Sequence, residues 1–500
     1  MVGAFFSAPW RRWETPVAYM QAQPLLDAVV VGAGISGLCC AHALQRRGLS
    51  VLTLEAAPRA GGVVHSVERD GFLYELGPNS LLDSTAAVAE LVAALGLGAR
   101  QRWASEAAAR RYVLHDGVPL ALPSSASGFL RTPLLTARAK WRLLCEPMVA
   151  RAPAALDESV ADFVRRRLGA EVLDQLVEPF IAGIYAGDPE QLSLRAALPR
   201  LHAFEQDSGS LARGLLRHAS AAASERERQG AVAPKRTHTR SFSFDRGLQV
   251  LIDALAAAAG PVALDTQVTH VEINDGPTFT VWARHQGRPL HWRCRTLVLA
   301  LPADAAAGLL RCHVPAAAAA LDDIVYAPLA SVASAYARAD IAHALDGFGC
   351  LVPRLAQRAL LGVLFSSSMF EGRAPPGQVL LTSFVGGQRQ PELAALSESE
   401  IAWQVHAEHR AMLGVRMPPR WQVVTRWPRA IPQYTRGHLA RVEQALGAQQ
   451  KLPGLFMGAN WLGGVAMGDC VHSAQRVAEA VRAYLHTAPH AASALYRHAG

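Results

Sequence analysis

Charge is scarce in this chain. Asp, Glu, Lys and Arg make up 18% of its 500 residues, below the quarter or so usual for globular proteins. With 51% apolar residues, the sequence reads as globular, with ample material for large cores in two or three domains. Cysteine is sparse as well: the 7 present are scattered, odd in number and form no CxxC pair. That excludes a disulfide framework and fits a reducing compartment. No zinc-finger spacing or interleaved aromatic and basic motif is present, so nucleic acid is not an expected partner. No uninterrupted apolar run reaches the roughly 18 residues of a spanning helix. The net charge of +8 suits anionic lipid or a carboxylated substrate better.

Residues 1–26 carry Phe5, Phe6, Trp10, Arg11, Arg12 and Trp13 before Pro16. Their apolar parts are too short for a signal-peptide core. They read as an extension or a misassigned start, with peripheral membrane contact as the alternative.

The densest signal lies between Asp27 and Gly62. Residues 28–31 form a short β-branched run, Gly32, Gly34 and Gly37 follow in GxGxxG spacing, and residues 38–47 have helical character. In such a strand, turn and helix, Gly32 permits the bend, Gly34 admits a pyrophosphate and Gly37 lets helix and strand pack closely. Ala33, Ile35 and Ser36 complete a turn whose helix end offers unpaired N–H groups to phosphate. Residues 51–54 read as a second strand ending in Glu55, about 20 residues on, where a carboxylate accepts from ribose hydroxyls. This much fits NAD or FAD equally.

Arg59, Gly61 and Gly62 follow as RxGG. Here the chain resembles the FAD-dependent amine oxidase and protoporphyrinogen oxidase superfamily. The resemblance implies that Arg59 and these glycines contact the FAD diphosphate and leave room beside the flavin ring. Gly77, Pro78, Asn79 and Ser80 narrow it to the protoporphyrinogen oxidases, implying that this segment lines FAD with Asn79 near the reacting edge. On its own terms Asn79 is equally a turn former before a helix over 84–95. Arg111, before Tyr112 in an expected hairpin, matches a family arginine that binds a substrate propionate. A strand-edge arginine is the other reading, and Arg110 is a substitute. A guanidinium suits the task because its fork holds a carboxylate through two parallel bonds.

Residues 128–192 read as helical and basic, and the resemblance makes the corresponding insert membrane-facing. Residues 219–240 are polar and lack hydrophobic period, reading as a mobile loop. Strands are expected near 262–264, 268–273, 279–283 and 296–301, and the residue matching Val268 offers its backbone to adenine in the family. Alternating segments near 329–337, 348–352, 360–365 and 379–385 suggest an antiparallel substrate platform. By resemblance Phe348, Gly349 and Leu351 line the tetrapyrrole cleft there. Arg426, Trp427, Gln433, Tyr434 and His438 match the family without an assigned role. Near the end, Val465, Ala466 and Met467 match residues whose amides meet the flavin N1–C2=O edge, before a helix over 470–485.

The expected fold is α/β: a discontinuous Rossmann-like FAD domain (27–105, 241–304, 452–487), a helical membrane-facing domain with the anchoring hairpin (106–218), the loop (219–240) and an inserted α+β substrate domain (305–451). The implied activity is oxidation of protoporphyrinogen IX by FAD and molecular oxygen, with Asn79 and Arg111 nearest the chemistry and no metal. A coproporphyrinogen oxidase, a flavin amine oxidase and a non-enzymatic flavin-binding membrane protein are the alternatives. Trp461 alone is a poor match to an amine oxidase's aromatic cage. The expected location is cytoplasmic, at the inner face of a membrane, and a homodimer is left open.

Overall fold

A computed structural model describes residues 24–83, 85–228 and 240–487. Most of the N-terminal extension and positions 229–239 of the expected loop lie outside them. The chain builds two seven-stranded sheets.

In the first sheet the strand order is Val262–Ala263, Val51–Leu54, Leu26–Val31, Arg288–Leu299, Phe279–His285, Thr266–Ile273, with Leu455–Met457 also beside Arg288–Leu299. Leu26–Val31 runs parallel to both neighbours, with Val29 opposite Leu52 and Leu297. Covered on both faces, it reads as the near-continuous apolar run typical of parallel strands. Arg288–Leu299 is much longer than the strand expected at 296–301. Its first half pairs antiparallel with Phe279–His285 and its second half parallel with Leu26–Val31 and Leu455–Met457. The alternation of exposed and covered residues over 288–293 marks a one-sided ribbon, which a search for buried runs overlooks. Helices Ile35–Gln45, Gln249–Ala258 and Met467–Thr487 share one apolar core on this sheet. Thus widely separated pieces of sequence form a single α/β layer.

The second sheet runs Trp421–Pro432, Tyr326–Ala337, Gln378–Gly386, Leu360–Leu364, Gly349–Leu351, Tyr112–His115, Val118–Ala121. All pairs are antiparallel except Gly349–Leu351 with Tyr112–His115. The hairpin grouped with the helices on sequence grounds therefore joins this sheet, where Cys350 and Leu351 pair with Tyr112 and Val113. Trp421–Pro432 escaped the sequence reading because Pro428 interrupts its pattern, yet an edge strand tolerates proline.

The region read as helical over 128–192 consists of several short helices, including Ala137–Leu144, Val160–Arg167 and Glu178–Tyr185, and Pro199–Ser208 follows it. Leu211–Arg228 then continues where the loop was expected to begin at 219. Alanine, glutamate and arginine lose little on helix formation. The Glu146 carboxylate also caps the helix, accepting from the Ser210 hydroxyl (2.6 Å) and the Leu211 and Ala212 amides (2.9 and 3.2 Å). Beneath it Arg167, 0% exposed, pairs with Glu146 and with Glu205, also 0% exposed, its Nε donating to Glu205 Oε1 at 2.8 Å.

Candidate functional site

Gly32 takes φ +102°, and a Cβ there would fall 2.5 Å from the Ala300 carbonyl oxygen. At Gly37 a Cβ would lie 1.9 Å from the Gly32 carbonyl oxygen. These two glycines bend the chain and close helix onto strand. Gly34 differs, because nothing lies within 4 Å of its added Cβ. The turn opens there to space, and the helix behind it carries no side-chain cap at Gly34. The Cys470 thiol contacts the Ser36 side chain, setting the first turns of Ile35–Gln45 and Met467–Thr487 side by side. Their positive dipole ends reinforce each other.

Glu55 is fixed across the turn, Oε2 accepting from Ala33 N–H at 2.7 Å and Oε1 from Ala57 N–H at 2.9 Å. Thr266 N–H donates to the Glu55 carbonyl at 2.7 Å, bringing the strand of Val268 beside it. The register shifts just after Val268. Gly61 N–H donates to Ala33 C=O at 2.8 Å, laying the RxGG loop along the turn. Arg59 spends its guanidinium on the carbonyls of Ala60, Gly62 and Val64, acting as a brace for this loop.

Residues 77–80 form a strap between the two sheets. A Cβ on Gly77 would lie 2.1 Å from the Val63 carbonyl oxygen, so the strap presses against the RxGG loop. From the other side the Leu76 carbonyl accepts from Ser331 Oγ (2.6 Å) and Trp427 Nε1 (3.0 Å), both on the second sheet. Asn79 Nδ2 donates to Gly77 C=O at 3.0 Å, the turn-forming role, while Asn79 also lines a small cavity with Tyr74, Phe370 and the buried pair Glu75 and Arg373.

The same face of the second sheet is apolar. Leu351, Gly362, Phe384 and Ser331 lie opposite one another across four strands, so their side chains share a face. At Gly362 an added Cβ would lie 3.0 Å from the Cys350 carbonyl oxygen and 3.5 Å from Leu351 Cδ2, so Leu351 packs across it, and Leu351 and Phe384 are both half-buried. Phe384 was missed in the sequence because an aromatic in an apolar strand carries no distinguishing pattern. Gly349 serves backbone packing: its φ is +157°, and a Cβ would meet the Val363 carbonyl oxygen at 2.3 Å. Just before Tyr112–His115, Arg111 is exposed and lies over the Phe348 ring, 5.1 Å from its centroid. Arg110 is committed elsewhere, paired with Asp346, which also accepts from Tyr112 Oη at 2.6 Å. Of the two arginines, Arg111 is the one with no acidic partner among the described residues.

The unassigned motif around Tyr434 has a structural task. Its hydroxyl donates to Asn460 C=O (2.6 Å) and accepts from Gly464 N–H (2.9 Å), and its ring stacks on His438 at 4.1 Å. It thereby holds the turn leading to Val465, Ala466 and Met467. Trp461 is buried, its indole N–H donating to Leu301 C=O at 3.1 Å, and does not face the opening. The open glycine turn, paired helix ends, fixed carboxylate and adjoining apolar face fit a dinucleotide with a flat ring system.

Residues 35–482 match the family model described as flavin containing amine oxidoreductase. A chloroplastic protoporphyrinogen oxidase of Nicotiana tabacum is 35% identical over 477 residues, spanning 92% of this chain and 86% of the relative. A coproporphyrinogen III oxidase of Bacillus subtilis (strain 168) is 27% identical over 474 residues, spanning 91% of this chain and 98% of the relative. Among solved structures, one from Exiguobacterium sp. 255-15, described as a putative protoporphyrinogen oxidase, superposes with a TM-score of 0.76 at 25% identity, covering 92% of this chain and all (100%) of that one.

Proposed function

This chain belongs to the flavin containing amine oxidoreductases, and from that membership we propose that it is an FAD-dependent oxidase of porphyrinogens, converting protoporphyrinogen IX to protoporphyrin IX in three successive two-electron oxidations. Relatives named protoporphyrinogen oxidase, 31 to 35% identical, support the substrate class. The observation that carries the reading is the Leu76 carbonyl held by Ser331 and Trp427, which fixes the strap of the glycine-rich site against the apolar sheet face.

FAD supplies a two-electron acceptor, and molecular oxygen takes those electrons to give hydrogen peroxide. The protein supplies position and dryness. Gly32, Ala33, Gly34, Ile35, Ser36 and Gly37 receive the pyrophosphate, Glu55 the ribose, and the backbone at Val268 the adenine. Gly61 and Gly62 keep close backbone beside the cofactor, with Arg59 bracing them. Residues 77–80, with Asn79, line the reacting edge, and the turn of Val465, Ala466 and Met467 faces the far end of the ring. Leu351, Phe348 and Phe384 pack the macrocycle while Arg111 holds a propionate. The assay is oxygen uptake with protoporphyrinogen, coproporphyrinogen and amines side by side. Oxidation of amines alone, or of nothing, would reject the proposal. Relatives named coproporphyrinogen III oxidase favour coproporphyrinogen as the second reading.

Arg111→Ala is expected to raise KM for the porphyrinogen about tenfold or more, the worth of one charge-assisted carboxylate contact. Bound flavin per chain should stay unchanged. An unaltered KM would remove Arg111 from the substrate site.

Peripheral contact with an anionic membrane is part of the same reading. No helix among the described residues is long and apolar enough to cross a bilayer. Leu130, Trp141, Leu144, Met148, Leu215 and Leu216 of the helical region are nonetheless largely exposed, with Arg131 and Arg138 among them. Apolar anchors flanked by arginines suit the interface of anionic lipid. Vesicles containing phosphatidylglycerol should retain the parent protein and fail to retain a Trp141→Ser, Leu144→Ser variant. Equal retention of parent and variant would count against this face.

A further inference from the structure

Asp469 occupies the first turn of Met467–Thr487 and has no part in the chemistry described so far. Its Oδ2 folds back to accept from Ala466 N–H at 3.3 Å. Gly464, at φ +137°, makes the room: a Cβ there would fall 2.3 Å from that oxygen and 2.6 Å from Asp469 Cβ. The carboxyl is partly buried, and burial raises its pKa above the ordinary range despite the opposing fields of Arg200 and His472. An acidic residue in a first turn ordinarily just complements the dipole of its own helix. Here two helix ends meet, because the neighbouring residue Cys470 contacts Ser36 of Ile35–Gln45. Asp469 places a negative group where two positive helix ends meet.

We propose that Asp469 tunes the bound flavin, opposing the charge that reduction adds and so lowering the cofactor's two-electron potential. The inference rests on the FAD reading above. Each oxidation moves two electrons from the substrate to the ring; one proton goes with them and one is released, leaving the ring with one net negative charge. Paired helix ends stabilise that charge, and Asp469 offsets part of the stabilisation. The consequence suits an oxidase, since a less stabilised reduced ring passes its electrons to oxygen more readily.

Asp469→Asn keeps the side-chain shape and the acceptor for Ala466 N–H while removing the charge; Asp469→Glu keeps the charge. The readout is the reduction equilibrium of the FAD-loaded protein against a reference dye, without substrate. Asp469→Asn is expected to shift that equilibrium toward the reduced form about tenfold, a rise of about 30 mV for a two-electron couple, while Asp469→Glu stays near the parent. A purely structural role would leave the potential of the retained flavin unmoved. An unchanged or lowered potential in Asp469→Asn overturns the inference, as does loss of FAD from that variant. Failure of the parent itself to bind FAD would instead defeat the cofactor reading, and is seen before any variant is made.

Discussion

Gly34→Ala should fold as well as the parent and lose about a hundredfold in affinity for FAD. The backbone at Gly34 has φ −72° and ψ 179°, a conformation any residue adopts. No protein atom lies within 4 Å of the added carbon, so nothing in the apoprotein resists it. The methyl group would fill the opening left for a pyrophosphate, and crowding a contact of that kind typically costs about 1–3 kcal/mol, roughly five- to a hundred-and-fiftyfold in binding. Gly37→Ala makes the contrast, because its methyl would sit 1.9 Å from the Gly32 carbonyl oxygen. That change should lower the melting temperature of the apoprotein itself. Thermal melts of both apoproteins, with FAD titrations followed by flavin fluorescence, separate the two effects. Equal FAD affinity in Gly34→Ala and parent would show that the opening does not face the cofactor.

The second large effect lies in the helical region. Removing Glu205 takes from the Arg167 guanidinium, which is 0% exposed, the acceptor of its Nε and one of its two carboxylate partners, and also takes an acceptor from Arg166 Nη1, now at 2.8 Å. Losing one partner of a buried pair costs about 3–5 kcal/mol. Glu205→Ala should show that loss in urea unfolding, and Glu205→Gln, which keeps an acceptor for Arg167 Nε, should show less of it. Burial pushes the Glu205 carboxyl up, but its bonds from Arg166 and Arg167 win and hold its pKa below the ordinary value. Glu146 behaves alike through Ser210, Leu211, Ala212 and Arg167. Since both are depressed in the folded state, their contribution is full above about pH 4.5 and fades as pH falls further. The parent should therefore lose stability more steeply in acid than Glu205→Ala does. A cost below about 1 kcal/mol for the single variant would place the pair with ordinary surface ion pairs.

Local signals carried well from sequence to structure. The turn at Gly32, Gly34 and Gly37 was legible because each glycine answers a steric demand made by neighbours close in the chain. Alternation disclosed Tyr326–Ala337 and Gln378–Gly386, whose opposite faces meet different surroundings. What stayed hidden depended on partners far away. Nothing in the residues around Tyr112 says that this hairpin joins Gly349–Leu351, and nothing around Trp427 says that its indole reaches Leu76. Arg110 and Arg111 were indistinguishable until Asp346 claimed the former.

The placement of Leu455–Met457 has a consequence for biosynthesis. It pairs with Leu297–Leu299 and leads straight into the helix that stands beside the glycine-rich turn. A ribosome that has released the opening strand and helix has made only one wall of the cradle. Loading with cofactor must then wait until nearly the whole polypeptide has emerged, and a message broken late in its reading frame would leave a product unable to turn yellow.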